Sequence, residues 1–160
     1  MRELERESDL PDLTRMRCAV VGAGRLGRAL VPALRDAGLT VDGPLGRGAD
    51  GGDAEIVILC VPDGEIAAAA SAVPARPGRL VGHCSGATTL DVLAPHEAFS
   101  LHPLMSVTLD GGAQLAGCLQ MLRHLVSEDL HRALHPGAGR DRRPGRPAQV
   151  RVVEVGQPVD

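Results

Sequence analysis

The chain has 160 residues, a hydrophobic fraction of 44% and a net charge of −3. That length suits one domain with a real core, and that charge gives no general attraction to nucleic acid or to an anionic membrane. All 17 basic residues are arginines, tyrosine is absent and Phe99 is the single aromatic residue, which excludes a Tyr-x-x-x-Lys reductase site, a lysine Schiff base, a P-loop lysine and aromatic stacking on single-stranded nucleic acid.

Residues 1–15 alternate acids and arginines and carry no apolar h-region. They read as a disordered, charged prelude without a signal peptide. Met16 directly precedes the first apolar run and is a candidate natural start. No apolar run approaches a membrane span. The four cysteines, Cys18, Cys60, Cys84 and Cys118, form no C-x-x-C pair. Most fall in apolar patterns, where a small buried hydrophobe is the plain reading, and a reducing cytoplasm fits them.

The first strand is expected at Arg17–Val21 and the first helix at Arg25–Ala37, stopped by Gly38. Pro32 falls inside that helix and should bend it. Between strand and helix stands Val21-Gly22-Ala23-Gly24-Arg25-Leu26-Gly27, with the G-x-G-x-x-G spacing of a dinucleotide-binding turn. Gly22 lets the chain reverse off the strand. Gly24 lets backbone approach a pyrophosphate, and Gly27 lets the helix pack on the sheet. The helix N-terminus then offers free N–H groups to phosphate. The competing reading is a tight strand-to-helix turn with no ligand.

A second strand is expected at Leu39–Leu45. Arg47 follows, 20 residues after Gly27, where NAD-binding chains place an acid for the ribose 2′-hydroxyl. An arginine there suits a 2′-phosphate and favours NADP. The alternatives are a solvated loop arginine, or NAD with Asp42 as the acid, although Asp42 falls early in its strand. Only residues 46–54 separate this strand from the next, Glu55–Val61, so the second βαβ unit is abbreviated.

Cys60-Val61-Pro62-Asp63 closes the third strand, and Val61 and Pro62 would pass beside the nicotinamide ribose. Asp63 is read first as the cap of a helix over Asp63–Ala72. A fourth strand at Arg79–Cys84 leads into His83-Cys84-Ser85-Gly86-Ala87-Thr88. His83 and Ser85 would stand at the cleft mouth, where an imidazole can pass a proton during hydride transfer. The competing reading packs His83 in the sheet and leaves Ser85 to cap a turn. A short helix at Thr88–Ala94 and a fifth strand at Ala98–Leu101 bring His102, a second imidazole that can reach the cleft. Leu115–Val126 is a last amphipathic helix. His131 and His135 share a helix face, but lack a third ligand group, so no metal site is assigned.

The alternation of strands and helices predicts an α/β fold: a Rossmann-like, doubly wound, mostly parallel sheet over residues 16–126. Residues 127–160 read as an irregular or disordered tail. Pro136–Pro147 holds only Pro, Gly, Ala, Arg and Asp, a composition that builds no core. Val150–Val155 can pair as an edge strand, though nothing compels it.

The order of motifs resembles the Rossmann-like NADP-dependent oxidoreductases whose C-terminal half is an uncharacterised helical domain (domain of unknown function family 2520). The resemblance rests on Val21–Gly27, Ile58-Leu59-Cys60-Val61-Pro62-Asp63, His83-Cys84-Ser85-Gly86-Ala87 and Ser100-Leu101-His102-Pro103-Leu104. It covers residues 16–120, and is more distantly similar to deazaflavin-dependent NADP reductases and pyrroline-5-carboxylate reductases. It implies an NADP cofactor, a small-molecule substrate, and a helical domain that completes both the substrate site and a dimer. The last thirty-odd residues do not match that domain, so a truncated or frame-shifted product is expected, with a second copy or partner chain completing the site. Three functions stand open: an NADP-dependent oxidoreductase, a non-catalytic NADP-binding sensor or remnant, and a binder of coenzyme A or a nucleotide sugar.

Overall fold

The computed structural model describes residues 15–103 and 149–155. A single parallel sheet organises them. Its strands are β1 (Arg17–Val21), β2 (Thr40–Leu45), β3 (Ile56–Leu59), β4 (Leu80–His83), β5 (Glu97–Pro103) and β6 (Gln149–Val155), in spatial order β2-β1-β3-β4-β5-β6. The chain steps from β1 to β2 on one side and returns to place β3 on the other side of β1. This reversal is the topological switch point, and it lies at the glycine turn. The fold is Rossmann-like and doubly wound, as the alternation of elements implies.

Burial on both faces explains why the inner strands read as continuous apolar runs. Helix α1 (Arg25–Asp36) covers one face, packing Leu30 and Leu34 on Cys18, Val20, Ile56, Ile58 and Phe99. Helix α2 (Ile66–Ala72) and a 3-10 turn at Leu90–Leu93 cover the other, over Ala19, Val21, Val57, Leu59 and Val81. Phe99 is fully buried, and its ring lies where a Cβ on Gly82 would stand. The only aromatic residue thus packs directly on backbone.

The end of α1 is set by Gly38, at φ 91°. Its N–H donates to the Arg35 carbonyl at 2.9 Å, and that of Leu39 to the Leu34 carbonyl at 3.1 Å, satisfying the last free carbonyls of the helix. Pro32 lies inside α1 on its exposed side. There the Arg28 carbonyl, which loses its helical donor, can turn to water. Pro44 stands in β2, an edge strand, opposite a register shift between Ala19 and Val21. An edge position with a bulge is where a sheet accepts proline.

Two expected helices are shorter than their sequence patterns. Asp63–Ala72 divides into a 3-10 turn, Asp63–Glu65, and then α2; Gly64 is a poor helix former at that point. The Asp63 side chain makes no cap bond. The Glu65 and Ile66 amides that it would accept from already donate to the carbonyls of Pro62 and Asp63. Thr88–Ala94 condenses to the 3-10 turn before Pro95. Residues 149–155, in the tail where an edge strand over Val150–Val155 is an open alternative to irregular chain, form β6 on the free edge of β5. The prelude over residues 1–14, the helix at Leu115–Val126, the segment Pro136–Pro147, and Cys118, His131 and His135 lie outside the described residues.

Arg79 is a buried cation at the amino end of β4, only 2% exposed. Its guanidinium donates to the carbonyls of Ala54 (3.0 Å), Pro74 (3.1 Å) and Gly52. The neighbouring Arg76 donates to those of Asp53 (2.6 Å) and Ala54 (2.9 Å). The two arginines gather the short loop into β3, where a full crossover helix is missing. Removing the Arg79 head takes the guanidinium donors from the Gly52 and Pro74 carbonyls and leaves the buried Ala54 carbonyl to Arg76 alone. Arg79→Met is expected to lower unfolding free energy by about 3 kcal/mol in urea titration. A loss below about 0.5 kcal/mol, the level of an ordinary surface change, would show that the loop holds without it.

Candidate nucleotide site at the carboxyl ends of the strands

The loop after β1 is the centre of the site. Gly22 sits at φ 116°, and a Cβ there would strike the Cys60 carbonyl oxygen at the end of β3. Its N–H donates to the Leu45 carbonyl of β2 at 2.8 Å, while the Cys60 N–H donates to the Val21 carbonyl at 2.7 Å. Three strand ends therefore converge on one residue. Gly27 lies in the first turn of α1, and a Cβ there would fall on the Gly22 carbonyl oxygen. The helix thereby rests directly on the turn. Gly24 differs: its Cβ direction holds no protein atom within 4 Å. Ala23, Gly24 and Arg25 are exposed. Gly24 caps α1 without a side chain, and no acid stands in the first helical turn. The amides of Arg25, Leu26 and Gly27 thus meet no capping oxygen, and the helix end keeps its partial positive charge.

Arg47 follows β2 on the same side of the sheet. Its guanidinium pairs with Glu65 at 2.9 Å, with 86% of the arginine side chain exposed. The pair joins the loop after β2 to the turn after β3, across the end of β1. An ion pair this exposed contributes at most about 1 kcal/mol, so Arg47 can exchange Glu65 for another anion at little cost. Asp42 pairs with Arg17 at 3.0 Å, opposite Ala19 of β1. It is held back from the strand ends and cannot serve as a ribose acid there. Val61 is half-buried and Pro62 exposed, both directly after β3.

The three proton-transfer candidates meet at the ends of β4 and β5, but in unequal positions. His83 is wholly buried. It pairs in register with Ser100, one residue below the turn. Its Nδ1 accepts the Ser85 N–H at 3.2 Å, while Nε2 has no partner. Burial pushes its pKa down from the ordinary 6.5, against the opposing pull of the Thr89 backbone and Asp63. The imidazole is neutral and lies beneath the cleft, so the expectation that it lines the mouth is corrected. The cause is strand alternation, which turns position 83 towards the apolar layer with Val81. Ser85 is nearly as enclosed. Its Oγ accepts the N–H groups of Ala87 (3.2 Å) and Thr88 (3.0 Å), and donates to Thr88 Oγ1 at 3.0 Å. That hydroxyl caps its turn. His102 is half-buried, its ring against Gly86 and its Nδ1 3.4 Å from the Cys84 carbonyl. Of the three, His102 is the group with access to solvent.

Sequence reasoning missed two features. One is Glu65 as the partner of Arg47, since the chain between them runs out and folds back through β3. The other is Cys60 beside Cys84, with Sγ atoms 3.8 Å apart. Register makes that second contact: Leu59 pairs with His83, so the next residues on each strand meet. Among the described residues no helix is long and apolar enough to cross a membrane. No group of three or more His, Cys, Asp or Glu side chains there is placed to hold a metal ion.

Comparison with known proteins agrees with this architecture. Residues 47–106 match the model of a Rossmann-like domain. The fold is similar to the crystal structure of a putative NADP oxidoreductase from Bacteroides fragilis, at a TM-score of 0.51 and 13% identity, covering 79% of this chain and 68% of that one. No curated protein sequence matches the chain. At that identity the likeness is one of fold: this chain carries a Rossmann-like domain.

Two substitutions separate packing from ligand space. Gly27→Ala is expected to cost about 1–3 kcal/mol in chemical denaturation, because the helix must lift off the turn. Gly24→Ala should stay within about 0.5 kcal/mol of the parent; an equal loss in both would show that the turn is uniformly packed. The neutral His83 gives a pH signature. Its lowered folded pKa means the unfolded chain binds the extra proton first. The stabilisation is complete above 6.5 and is lost as pH falls from there through the folded value. Unfolding free energy measured from pH 7.5 to 5 should decline in the parent and flatten in His83→Gln; parallel slopes would contradict the assignment.

Proposed function

We propose that this chain binds NADP across the carboxyl ends of β1, β2 and β3, as the nucleotide-binding domain of an NADP-dependent oxidoreductase. One observation carries the reading: of the three motif glycines, two are closed by backbone and Gly24 alone faces open space. A simple tight turn has no need of a bare, outward-facing Gly24. A pyrophosphate does, since it must approach the main chain at the helix end. The exposed guanidinium of Arg47 supports a 2′-phosphate over a free hydroxyl, because a bidentate donor matches phosphate geometry. The likeness of fold to an NADP oxidoreductase agrees, as does the order of motifs in the helical-domain family described above.

In this reading the diphosphate rests on Gly22, Ala23 and Gly24 and on the first-turn amides of Arg25, Leu26 and Gly27. Arg47 holds the adenosine side, and Val61 and Pro62 border the nicotinamide ribose. Hydride chemistry belongs to the cofactor. His102 is the group assigned to exchange a proton with a small-molecule substrate. His83 and Ser85 position the turn against which its ring packs at Gly86: Ser85 braces residues 87 and 88, and the Ser100 hydroxyl donates to the Ser85 carbonyl at 3.3 Å. A second copy or a partner chain closes the substrate side. The free thiols of Cys18, Cys60 and Cys84 fit a reducing compartment such as the cytoplasm.

A second reading is favoured by the enclosure of His83 and Ser85: a nucleotide-binding module without catalysis. Both readings require the cofactor; only the first requires His102. Thermal shift with NADPH, NADH and coenzyme A tests the shared part. NADPH should stabilise most, and stabilisation by coenzyme A alone would overturn both. Arg47→Asp should lower the NADPH-to-NADH affinity ratio by about tenfold, the loss of one charge-assisted contact; an unchanged ratio would remove NADP as the preferred coenzyme. Oxidation of NADPH by an imine, ketone or deazaflavin, lost in His102→Ala, would select the catalytic reading.

A further inference from the structure

The carboxyl ends of β3 and β4 bring Cys60 and Cys84 together on the α1 side of the sheet. Both are half-buried and pack against the same apolar cluster, and their Sγ atoms are 3.8 Å apart. Neighbouring strands lie about 4.8 Å apart, inside the ~4.4–6.8 Å between Cα atoms that a disulfide accepts. Cys60 and Cys84 follow the registered pair Leu59 and His83, so they stand side by side and face one way. Bond formation therefore needs a side-chain rotation and no change of register. Cys18 shares the face but is fully buried in β1, where burial first and Asp42 second push its thiol up to about 12. It is a structural cysteine by contrast.

The position of the pair matters. The Cys60 carbonyl is the atom that keeps position 22 a glycine, and the Cys60 Cβ lies 3.6 Å from where a Gly27 Cβ would stand. The Cys84 carbonyl faces the His102 ring. The two thiols thus sit between the glycine turn and the imidazole assigned to proton exchange.

We propose that Cys60 and Cys84 are a thiol–disulfide pair that accepts oxidising equivalents from a low-molecular-weight disulfide. In the first step the Cys60 thiolate attacks one sulfur of the oxidant, making a mixed disulfide and releasing one thiolate. In the second, Cys84 gives up its proton to that thiolate and its sulfur attacks the Cys60 Sγ, expelling the other half. Two protein thiols lose two hydrogens, and the oxidant leaves as two thiols. Geometry sets the pairing; the order is assigned because the contact with Cys60, and then burial, hold the proton on Cys84. Cys60 is the entering sulfur and Cys84 the resolving one.

The test uses the full chain with Cys118→Ser, so that only described thiols remain, treated with oxidised glutathione, quenched in acid, alkylated and mapped by mass spectrometry. The expected result is loss of two alkylatable thiols and a cross-linked peptide joining Cys60 to Cys84, both reversed by dithiothreitol. In Cys84→Ser on that background, glutathione should remain on Cys60. Separate glutathione adducts on Cys60 and Cys84, or full alkylation of both while unfolded protein is oxidised in the same buffer, would overturn the proposal. The outcome does not depend on nucleotide binding, so failure here leaves the NADP reading standing.

Discussion

The structure depends on one close approach: the main chain leaving β1 passes so near the Cys60 carbonyl that position 22 can hold no side chain. Gly22 also donates to the end of β2, and Cys60 donates back to β1. The sheet reverses its winding at that point. A crevice opens there because the two following connections depart to opposite sides of β1. The position of α1 follows from the same constraint, since Gly27 lets the helix rest on the Gly22 carbonyl. What remains uncovered is the outer surface of Gly24 and the amino end of the helix.

The rest of the molecule supplies stiffness around that opening. Two apolar layers clamp the sheet, one under α1 and one under α2. At the opposite end of the strands, Arg76 and Arg79 tie loop carbonyls together where the abbreviated second unit has no helix of its own. Hydrogen bonds to charged donors do there what a crossover helix would do by packing. At the ligand end, polar groups mostly hold one another: Ser85 braces its turn and Ser100 reaches the Ser85 carbonyl. At the amino end of β5, His96 meets the Ala70 carbonyl of α2 at 3.0 Å. At the ligand end, Arg47 and His102 keep solvent access.

Much of this was legible from residue order. The glycine spacing with its apolar lead and helical exit marked β1, the turn and α1, because each glycine answers a steric demand that no other residue meets. The apolar runs located β3, β4 and β5, because a sheet buried on both faces tolerates little else. Side-chain orientation at strand ends was not legible. His83 is the last residue of β4 and still shares the strand's alternation, which places it with Val81, and one residue of register decides which way a strand-end side chain turns. The contacts of Arg47 with Glu65 and of Cys60 with Cys84 were equally hidden, since strand pairing and not sequence distance creates them. Asp63 carried a capping signal, but backbone carbonyls already hold the amides that it would cap. The tail composition gave no reason to prefer β6, because edge pairing is settled by what the neighbouring strand leaves free.

The central claim is that the space above Gly24 belongs to a dinucleotide diphosphate. Calorimetric titration of NADPH into the parent chain and into Gly24→Val tests it most directly, because the added side chain fills ligand space without meeting protein. Saturable heat in the parent, absent or weakened at least tenfold in a variant of unchanged unfolding midpoint, is the predicted result. Equal heats from both proteins, or none from the folded parent with any adenine dinucleotide, would contradict it.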